Sequence, residues 1–384
     1  MPSAPAPAAA PDHLQWNEGG AELHARWQSE NGAPPPRRVV VADDTLTADA
    51  AWRLACEGTA ILWRGDFNNA RQLLQAMGRR AQRKPGKAKG GAAKPITEVF
   101  HLHRQAQAQR ARSLGMLLIP VEDDYRIPLR RAPDLGVACT EAYGPARGPF
   151  VVSLRELLGL VGAHEWRKKG VRVPALDGDI HPHYGVFSPV RGEYVDLVAQ
   201  APLPATTLAF DIGTGTGVLA ALLARRGVER VVATDQDARA LACAADNLGR
   251  LGLTGRVELL QADLYPPGRA PLVVCNPPWL PGKPSAAVEY AIYDPDSRML
   301  RGFLDGLAAH LEPGGEGWLI LSDLAEHLGL RSRETLLALF DAAGLKVLDR
   351  LDIRPRHGRA QDADDPLHAA RAAELTSLWR LAPR

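Results

Sequence analysis

The second half of the chain, from about Ala205 onward, alternates between apolar strands and helices, and this alternation limits the possible folds more than any other feature. The apolar run TTLAFDIG ends in glycines and leads into the helical stretch GVLAALLARRG. Helical stretches such as ARALACAADNLGRLG separate the further predicted strands RVVATDQD, RVELLQAD, PLVVCNPPW, GWLILSD, KVLDRLDI and LTSLWRL. Strands that alternate with helices predict a parallel, doubly wound α/β sheet.

Ligands of such sheets bind outside the carboxyl ends of the strands. This rule selects four loops, which follow Phe210, Thr234, Ala262 and Cys275. The first loop reads DIGTGTG and runs from Asp211 to Gly217. Its alternating glycines (213, 215 and 217) carry no Cβ, so the backbone can approach a ligand closely. The alternative is a plain tight turn, although a turn needs one glycine rather than three.

The spacing of these glycines bears on the kind of nucleotide. A dinucleotide-binding loop reads G-x-G-x-x-G. Val218 occupies the position of the third glycine in that pattern, and Gly217 comes one residue earlier. This departure disfavours NAD and FAD as ligands.

The second and third loops each supply an acidic residue. Asp235 ends the strand VVATD, where a carboxylate can accept hydrogen bonds from both ribose hydroxyls. Asp237 lies close by, and either residue could instead be the N-cap of the following helix. Asp263 follows the strand LLQ, where it could accept from an adenine amino group or be a solvated loop residue.

The fourth loop reads NPPW, from Asn276 to Trp279, and ends a fully apolar strand. Asn276 offers a side-chain carbonyl, and Pro277 offers a backbone carbonyl that two adjacent prolines, Pro277 and Pro278, hold in a rigid extended turn. Trp279 adds a flat aromatic face. Two acceptors and an aromatic plane suit a planar amino group on an sp² carbon. The alternative is a Pro-Pro turn with an incidental asparagine.

The order of these four motifs resembles that of class I S-adenosylmethionine-dependent methyltransferases. More narrowly, it resembles the NPPY-type N-methyltransferases with a "small" methyltransferase domain. This group includes glutamine methyltransferases of release factors and ribosomal proteins, rRNA guanine-N2 methyltransferases and adenine amino-methylating enzymes. The resemblance covers about His181 to Arg384. It implies a Rossmann-like, seven-stranded α/β domain.

The resemblance also implies roles for individual residues. Asn276, Pro277, Pro278 and Trp279 would form the catalytic turn that holds the target nitrogen, although Trp279 stands where many members have Tyr or Phe. S-adenosylmethionine would be bound by Asp211, Gly213, Thr214, Gly215, Gly217, Asp235 and Asp263. The segment GVFSPVRGEYVDLV resembles one that precedes the glycine loop, where Phe187 and Arg191 would help close over the cofactor. The implied reaction is direct displacement at the sulfonium methyl group, which needs positioning rather than a strong base.

The chain length predicts about two domains. The Ala- and Pro-rich residues 1–38 are expected to be a flexible leader rather than a signal peptide. Residues 39–204 are expected to form an α+β substrate-recognition domain, and residues 205–384 the methyltransferase domain. No stretch approaches the ~20 apolar residues that span a membrane. The widely spaced Cys56, Cys139, Cys243 and Cys275 suit a reducing cytoplasm.

A basic run between residues 79 and 94 is the main indication of the substrate. It has no acidic residue and contains seven positive charges: Arg79, Arg80, Arg83, Lys84, Lys87, Lys89 and Lys94. Such a run can bind phosphate backbones, or it can be a solvated linker. We therefore favour a base in RNA as the substrate. The alternatives are a glutamine of a protein and a non-catalytic binding protein that kept the fold.

Other polar clusters give weaker indications. The pairs His101/His103 and His181/His183 could begin a metal site on an extended segment, but no third ligand is evident, and we expect no metal. The loop from Arg354 to Ala370 is expected to lie on the active-site side. Its basic residues could contact a substrate or belong to a mobile surface loop.

Overall fold

The computed structural model of the chain describes residues 13–82, 94–283, 289, 291–356, 362 and 364–384. These residues form two compact units. One comprises the described parts of Met1–Ala93 and Arg104–His164, and the other those of Lys94–His103 and Glu165–Arg384. No helix of the described ranges is long and apolar enough to cross a bilayer.

The first unit is built on a six-stranded mixed sheet. Its strands are β1 (His13–Glu18), β2 (Ala21–Gln28), β3 (Arg38–Ala42), β4 (Thr59–Trp63), β5 (Leu117–Val121) and β6 (Phe150–Ser153), in the order β1-β2-β6-β5-β4-β3. The helices that begin in or cross this part of the chain are α1 (Ala48–Cys56), α2 (Phe67–Ala81), α3 (Ile96–Leu114), α4 (Gly136–Tyr143) and α5 (Leu154–Lys169). Buried apolar side chains such as Leu14, Leu62 and Leu118 form its core.

The second unit begins with elements that precede its main sheet. The hairpin β7 (Val171–Val173) and β8 (Gly178–Ile180) encloses a 3₁₀ turn, Pro174–Leu176, and helix α6 (Glu193–Gln200) follows. The strands of the sheet are β9 (Leu208–Ile212), β10 (Arg230–Asp235), β11 (Val257–Gln261), β12 (Ala270–Cys275), β15 (Leu311–Ser322), β16 (Leu345–Ile353) and β17 (Thr376–Pro383). Two strands of two residues each, β13 (Leu280–Pro281) and β14 (Tyr293–Asp294), pair in parallel as a separate small sheet.

The helices of this unit are α7 (Val218–Arg225), α8 (Ala238–Arg250), α9 (Arg298–His310), α10 (Leu324–His327), α11 (Arg333–Ala342) and α12 (His368–Ala373), with a 3₁₀ turn at Pro295–Ser297. The strand order is β11-β10-β9-β12-β15-β17-β16, and β17 runs antiparallel to both of its neighbours. Apolar residues of α6, α7 and α8 pack on one face of the sheet, and those of α9 and α11 on the other. The predicted seven-stranded Rossmann-like α/β domain is confirmed.

The parallel strands β11, β10, β9 and β12 are adjacent, so their carboxyl ends lie along one edge. Ile212 pairs in register with both Thr234 and Cys275, and Asp235 pairs with Gln261. The four predicted ligand loops therefore begin at the same level and at the same edge of the sheet.

The structure differs from the predicted domain boundaries. Residues 13–28 are not a flexible leader, because β1 and β2 belong to the first sheet and Leu14 is fully buried. The second unit begins at Glu165 rather than Ala205, since Val173, Ile180 and Tyr194 are buried in its core. A short segment, Lys94–His103, also belongs to it.

Two local predictions in the first half were also wrong. The stretch YRIPLR, residues 125–130, has an alternating pattern that predicts a strand, but it forms turns and coil. His101 and His103 lie on helix α3 and not on an extended segment. The basic run continues from the end of α2 into residues 83–93, which lie outside the described residues, and so do residues 357–361 and 363 of the predicted substrate loop.

Candidate functional site

The loops after β9 and β10 are hydrogen-bonded to each other at the sheet edge. The amides of Gly213 and Thr214 donate to the Thr234 carbonyl over 2.9 and 2.8 Å. The Gly215 amide donates to Oδ2 of Asp235 over 3.0 Å. The glycine loop and the predicted ribose-binding carboxylate thus form one continuous surface.

Two glycines of the first loop are required for different reasons. Gly217 has a φ of +80°, and a Cβ there would lie 3.2 Å from the Ala244 Cα, so the glycine permits close packing of α7 on α8. Gly215 has a φ of +55°, and a Cβ there would meet nothing within 4 Å. Gly213 faces the flexible side chain of Met299. Gly215 is therefore the glycine that borders open space, where a ligand can pass the backbone.

Asp211 is a buried carboxylate beneath this loop, with 1% of its surface exposed. Its Oδ2 accepts from the Thr214 hydroxyl over 2.6 Å and from the Ala220 amide over 3.1 Å. The pKa of Asp211 is raised to about 6, mainly by burial and also by the nearby Asp235 carboxylate, while the two hydrogen bonds oppose the rise. A positive group bound near this carboxylate would favour its ionised form.

The raised pKa of Asp211 predicts a pH-dependent stability. A carboxyl group whose folded-state pKa lies above its unfolded value of about 3.8 stabilises the fold fully below that value. This contribution, roughly 3 kcal/mol, is lost as the pH rises through about 6. Asp211→Asn retains an acceptor oxygen and should gain stability relative to the wild type between pH 4 and 7. Urea unfolding across this range measures the difference, and a difference independent of pH would contradict the account.

The two aspartates after β10 have separate roles. Asp237 is the N-cap of α8, since its Oδ1 accepts from the Arg239 amide over 2.9 Å. Asp235 instead directs Oδ2 to Gly215 and accepts from the Asp237 amide at Oδ1. Burial raises the pKa of Asp235. The structure therefore separates the ligand-facing candidate, Asp235, from the helix cap.

Asp263 lies just beyond β11 and is more exposed than the other two loop carboxylates. Its side chain is 57% exposed and forms an ion pair with Arg298 at the start of α9. The next residue, Leu264, has a φ of +78°, and its carbonyl accepts from the Thr234 hydroxyl. This bond joins the third loop to β10.

The NPPW turn follows β12 directly, and its asparagine has a defined orientation. The indole Nε1 of Trp279 donates to Oδ1 of Asn276 over 2.9 Å. Because an indole nitrogen can only donate, the amide oxygen rather than the amide nitrogen must face the ring. Pro277 is buried, and Asn276, Pro278 and Trp279 are half-buried. Trp279 thus fixes the direction of the Asn276 acceptor, a role that the sequence did not indicate.

Trp279 is held by a buried polar network. The Arg191 guanidinium lies 5.1 Å from the centre of the indole ring and pairs with Glu374 over 2.9 Å. The Glu374 side chain is fully buried and also accepts from the Ser322 hydroxyl over 2.6 Å. Sequence reasoning missed Glu374 and Ser322. An acidic residue just before the apolar strand LTSLWRL was the only available signal for Glu374.

The segment before α6 contains Phe187 and Arg191, which are predicted to close over the cofactor. Arg191, expected to close over the cofactor, contacts the NPPW turn through Trp279. Phe187 is half-buried in the same segment. At the described start of the predicted substrate loop, the Arg356 amide donates to Glu193 of α6, and its guanidinium lies 3.8 Å from Asp196. Arg356 is therefore bound to α6.

His181 and His183, the second of the two histidine pairs, form hydrogen bonds with residues of α5 and α8. His181 Nδ1 lies 2.6 Å from the Arg167 carbonyl of α5, and the His181 amide donates to Asn247 of α8. His183 Nε2 lies 3.2 Å from Asp246 of α8. Within the described ranges no group of three or more potential metal ligands is present.

Comparison with known proteins finds similarity within the second unit. The family described as "Methyltransferase small domain" matches residues 178–343. The release factor glutamine methyltransferase of Cereibacter sphaeroides is 33% identical over 183 residues, which are 43% of this chain and 63% of that protein. The ribosomal RNA small subunit methyltransferase C of Alcanivorax borkumensis is 29% identical over 45% of this chain and 54% of its own length.

A third relative is the tRNA1(Val) (adenine(37)-N6)-methyltransferase of Shewanella loihica, which is 28% identical over 45% of this chain and 72% of its own length. The match covers less than two thirds of the release factor and ribosomal RNA relatives. By their names, these relatives act on different substrates: a release factor, ribosomal RNA and transfer RNA. Residues 178–343 match the family described as methyltransferase small domain, and they lie within the unit that carries the seven-stranded α/β sheet.

Proposed function

We propose that this protein transfers a methyl group from S-adenosylmethionine to a planar amino or amide nitrogen, and that this nitrogen belongs to a base in RNA. The observation that carries the proposal is the orientation of Asn276, whose Oδ1 is fixed by the Trp279 indole at the carboxyl edge of the sheet. The same edge carries the glycine loop. An oriented acceptor beside a nucleotide-type loop suits a nitrogen nucleophile and an adenosyl cofactor.

The residues of the glycine loop suit S-adenosylmethionine. Gly215 borders open space, so an adenosyl and methionyl chain can lie against the backbone. The Asp235 carboxylate, next to that loop, would accept from the ribose hydroxyls, and Asp263 from the adenine amino group. The buried Asp211 carboxylate would offset the positive charge of the ligand. The cofactor supplies an electrophilic methyl group on a sulfonium.

The NPPW turn would bind and orient the nitrogen. Asn276 Oδ1 and the Pro277 carbonyl would each accept an N–H of the target, which frees the nitrogen lone pair from the adjacent π-system. The same acceptors would stabilise the positive charge that develops on nitrogen. Trp279 would stack on the substrate plane. These residues position the reacting atoms, and no strong base is required.

The basic run supports RNA as the substrate. Described residues at its two ends are Arg79 and Arg80 of α2 and Lys94, which precedes α3. Arg80 is paired with Asp49, so it neutralises less phosphate charge than the count of positive residues suggests. Two of the relatives methylate, by their names, ribosomal or transfer RNA, whereas the more similar release factor relative methylates a protein. A base in RNA would have to be unpaired or flipped out to reach the turn.

A protein glutamine is the second candidate. Its side chain also presents a planar amide nitrogen, and the release factor methyltransferase relative supports it. The two candidates differ in charge, because RNA binding responds to salt through each neutralised phosphate. A non-catalytic protein that binds RNA or another protein is the remaining alternative, and the intact Asn276 and glycine loop argue against it.

Replacing Lys84, Lys87 and Lys89 with glutamine is expected to weaken RNA binding most at low salt. The slope of log affinity against log salt concentration should fall by about 0.7 for each lost phosphate contact. Fluorescence anisotropy with a short single-stranded RNA measures the slope. Glutamine at Lys168, Lys169 and Lys346 removes the same charge elsewhere and serves as the control. Equal slopes for both triple variants would remove the reason to prefer RNA.

Calorimetric titration with S-adenosylmethionine and with its demethylated product tests the cofactor assignment. We expect saturable binding of both, and weaker binding after Asp235→Ala. Absence of heat and of thermal stabilisation at millimolar cofactor would contradict the enzyme assignment and favour the non-catalytic alternative.

A further inference from the structure

A cavity of about 420 Å³ lies directly beside the NPPW turn. Its lining includes Pro281, Ser297, Arg301, Arg331, Ser332 and Thr335. Pro281 is two residues beyond Trp279, and Nη2 of Arg331 lies 3.5 Å from the Trp279 carbonyl. A group bound here would therefore sit next to the turn that orients the target nitrogen.

Arg331 is the unusual residue of this cavity. It is only 8% exposed and forms no ion pair with a described residue; burial lowers the pKa of Arg331, and the nearby carboxylates of Glu326 and Asp294 oppose this only in part. Its Nε is buried without a hydrogen-bond partner, and its bond to the Trp279 carbonyl is long. A buried charge without a direct ion-pair partner is costly, so the retained guanidinium points to an anion that binds and completes the site.

The other polar groups of the lining suit a phosphate. Arg301 provides a second guanidinium and is exposed. The hydroxyls of Ser332 and Thr335 lie 3.1 Å apart at the start of the ten-residue helix α11, whose N-terminus favours negative charge. Asp296 is the acidic residue of the lining, so the two arginines leave a positive balance. Arginines and hydroxyls together match the several acceptor oxygens of a phosphate.

The chain that follows the basic run packs against the same cavity wall. The Thr97 hydroxyl donates to the Leu328 carbonyl over 3.0 Å, and a Cβ at Gly329, a lining residue, would lie 2.6 Å from that hydroxyl. Phe100 packs in one apolar cluster with Leu280 of the NPPW loop. Lys94, the last positive residue of the run, is part of this unit.

We propose that this cavity, with Arg331 and Arg301, binds a backbone phosphate of a nucleic-acid substrate, next to the nucleotide whose base reaches Asn276. The inference rests on the proposed methyl transfer to a base. Every base has a phosphate close by along its backbone, whereas a protein glutamine has no fixed anionic neighbour. An anion site beside the target clamp thus selects nucleic acid over protein.

The test compares Arg331→Gln and Arg301→Gln with Arg230→Gln in the full chain. Arg230 is exposed at the start of β10, at the opposite edge of the sheet, and pairs with Glu258. Anisotropy with a short single-stranded RNA should show binding about tenfold weaker for Arg331→Gln, with a salt slope lower by about 0.7. Arg301→Gln should also lower the RNA affinity and the salt slope, and Arg230→Gln should leave the affinity and the slope unchanged. An Arg331→Gln slope equal to that of Arg230→Gln would overturn the proposal.

A stability measurement separates ligand binding from a structural role. Because the cost of burying the Arg331 charge outweighs the attraction of Glu326 and Asp294, Arg331→Met should melt at or above the wild-type temperature without ligand. Inorganic phosphate should raise the melting temperature of the wild type more than that of Arg331→Met. A lower melting temperature for Arg331→Met, with an equal response to phosphate, would show that the arginine only supports the loop. An acidic peptide that displaces phosphate while the RNA does not would also overturn the proposal.

These outcomes are distinct from failure of the proposed function. If the protein binds S-adenosylmethionine and methylates RNA while Arg331→Gln has no effect, only the phosphate subsite is wrong. If no S-adenosylmethionine binds, the methyl-transfer proposal fails, and the RNA salt slopes still report on the cavity.

Discussion

Asn276→Ala is expected to lower the rate of methyl transfer by roughly 10²- to 10³-fold while leaving the affinity for S-adenosylmethionine nearly unchanged. The alanine removes the acceptor that the Trp279 indole orients toward the target nitrogen. It leaves untouched the hydrogen bonds between the glycine loop and Asp235. Single-turnover rates with labelled cofactor, together with calorimetric affinities, measure the two quantities separately.

Two further variants make this result specific to Asn276. Asn276→Asp keeps an acceptor oxygen for the indole and for the substrate, so it should lose less activity than the alanine. Asn69→Ala removes an exposed amide of the first unit, bonded to Asp44, and should have no effect on the rate. Loss of cofactor binding in Asn276→Ala would show that the turn belongs to the cofactor site instead.

Glu374→Gln is expected to lower the free energy of unfolding by about 2–3 kcal/mol and the kcat by roughly tenfold. The glutamine preserves shape and can still accept from Ser322, but it leaves the Arg191 guanidinium without its counter-charge. Since the Arg191 side chain is 24% exposed, the loss of unfolding free energy should be smaller than for breaking a fully buried ion pair. Glu374 acts through Arg191 and Trp279, so it is a positioning residue.

The double variant Glu374→Gln/Arg191→Gln separates positioning from stability. Removing both charges should recover much of the lost free energy of unfolding, because no uncompensated charge remains. The kcat should stay low, since Trp279 has lost the cation that packs on its ring. Glu258→Gln breaks the exposed pair with Arg230 and should cost less than about 1 kcal/mol. Recovery of kcat together with stability would show that the network is only structural.

The sequence predicted those parts of the site that local rules determine. A glycine loop, a strand-terminal Asp235 and an NPPW turn each follow a parallel strand, and adjacent parallel strands bring their carboxyl ends to one edge. The rules favoured Asp235 as the ribose-binding residue but left open which of Asp235 and Asp237 caps the next helix. Only the hydrogen bonds of Gly215 and Arg239 distinguish them.

Local sequence rules do not predict contacts between residues that are far apart in the chain. Glu374 lies far from Arg191 in sequence, and they meet only because β17 inserts between β15 and β16. Arg331 gave no signal either, since its burial depends on the cavity between α9 and α11. The indole hydrogen bond of Trp279 was missed because the sequence suggested a stacking face alone.

The fold of the first half of the chain was harder to predict from the sequence, for a physical reason. In its six-stranded sheet β2 pairs with β6, which lies more than a hundred residues later in the sequence, and β1 pairs with β2 at the edge. Residues 13–28 look polar and irregular in isolation, and their strands bury few side chains, with Leu14 and Trp27 as the main exceptions. Composition therefore suggested a leader, although pairing with distant β6 holds the segment in the sheet.

The most direct test of the central claim is transfer of a radiolabelled methyl group from S-adenosylmethionine in a lysate of cells that lack this protein. The purified protein should label a macromolecular fraction, nuclease digestion should release the label, and Asn276→Ala should give none. Label released by protease alone would favour the glutamine substrate. Absence of label in any macromolecule, or equal labelling by Asn276→Ala, would contradict methyl transfer to a nitrogen held at this turn.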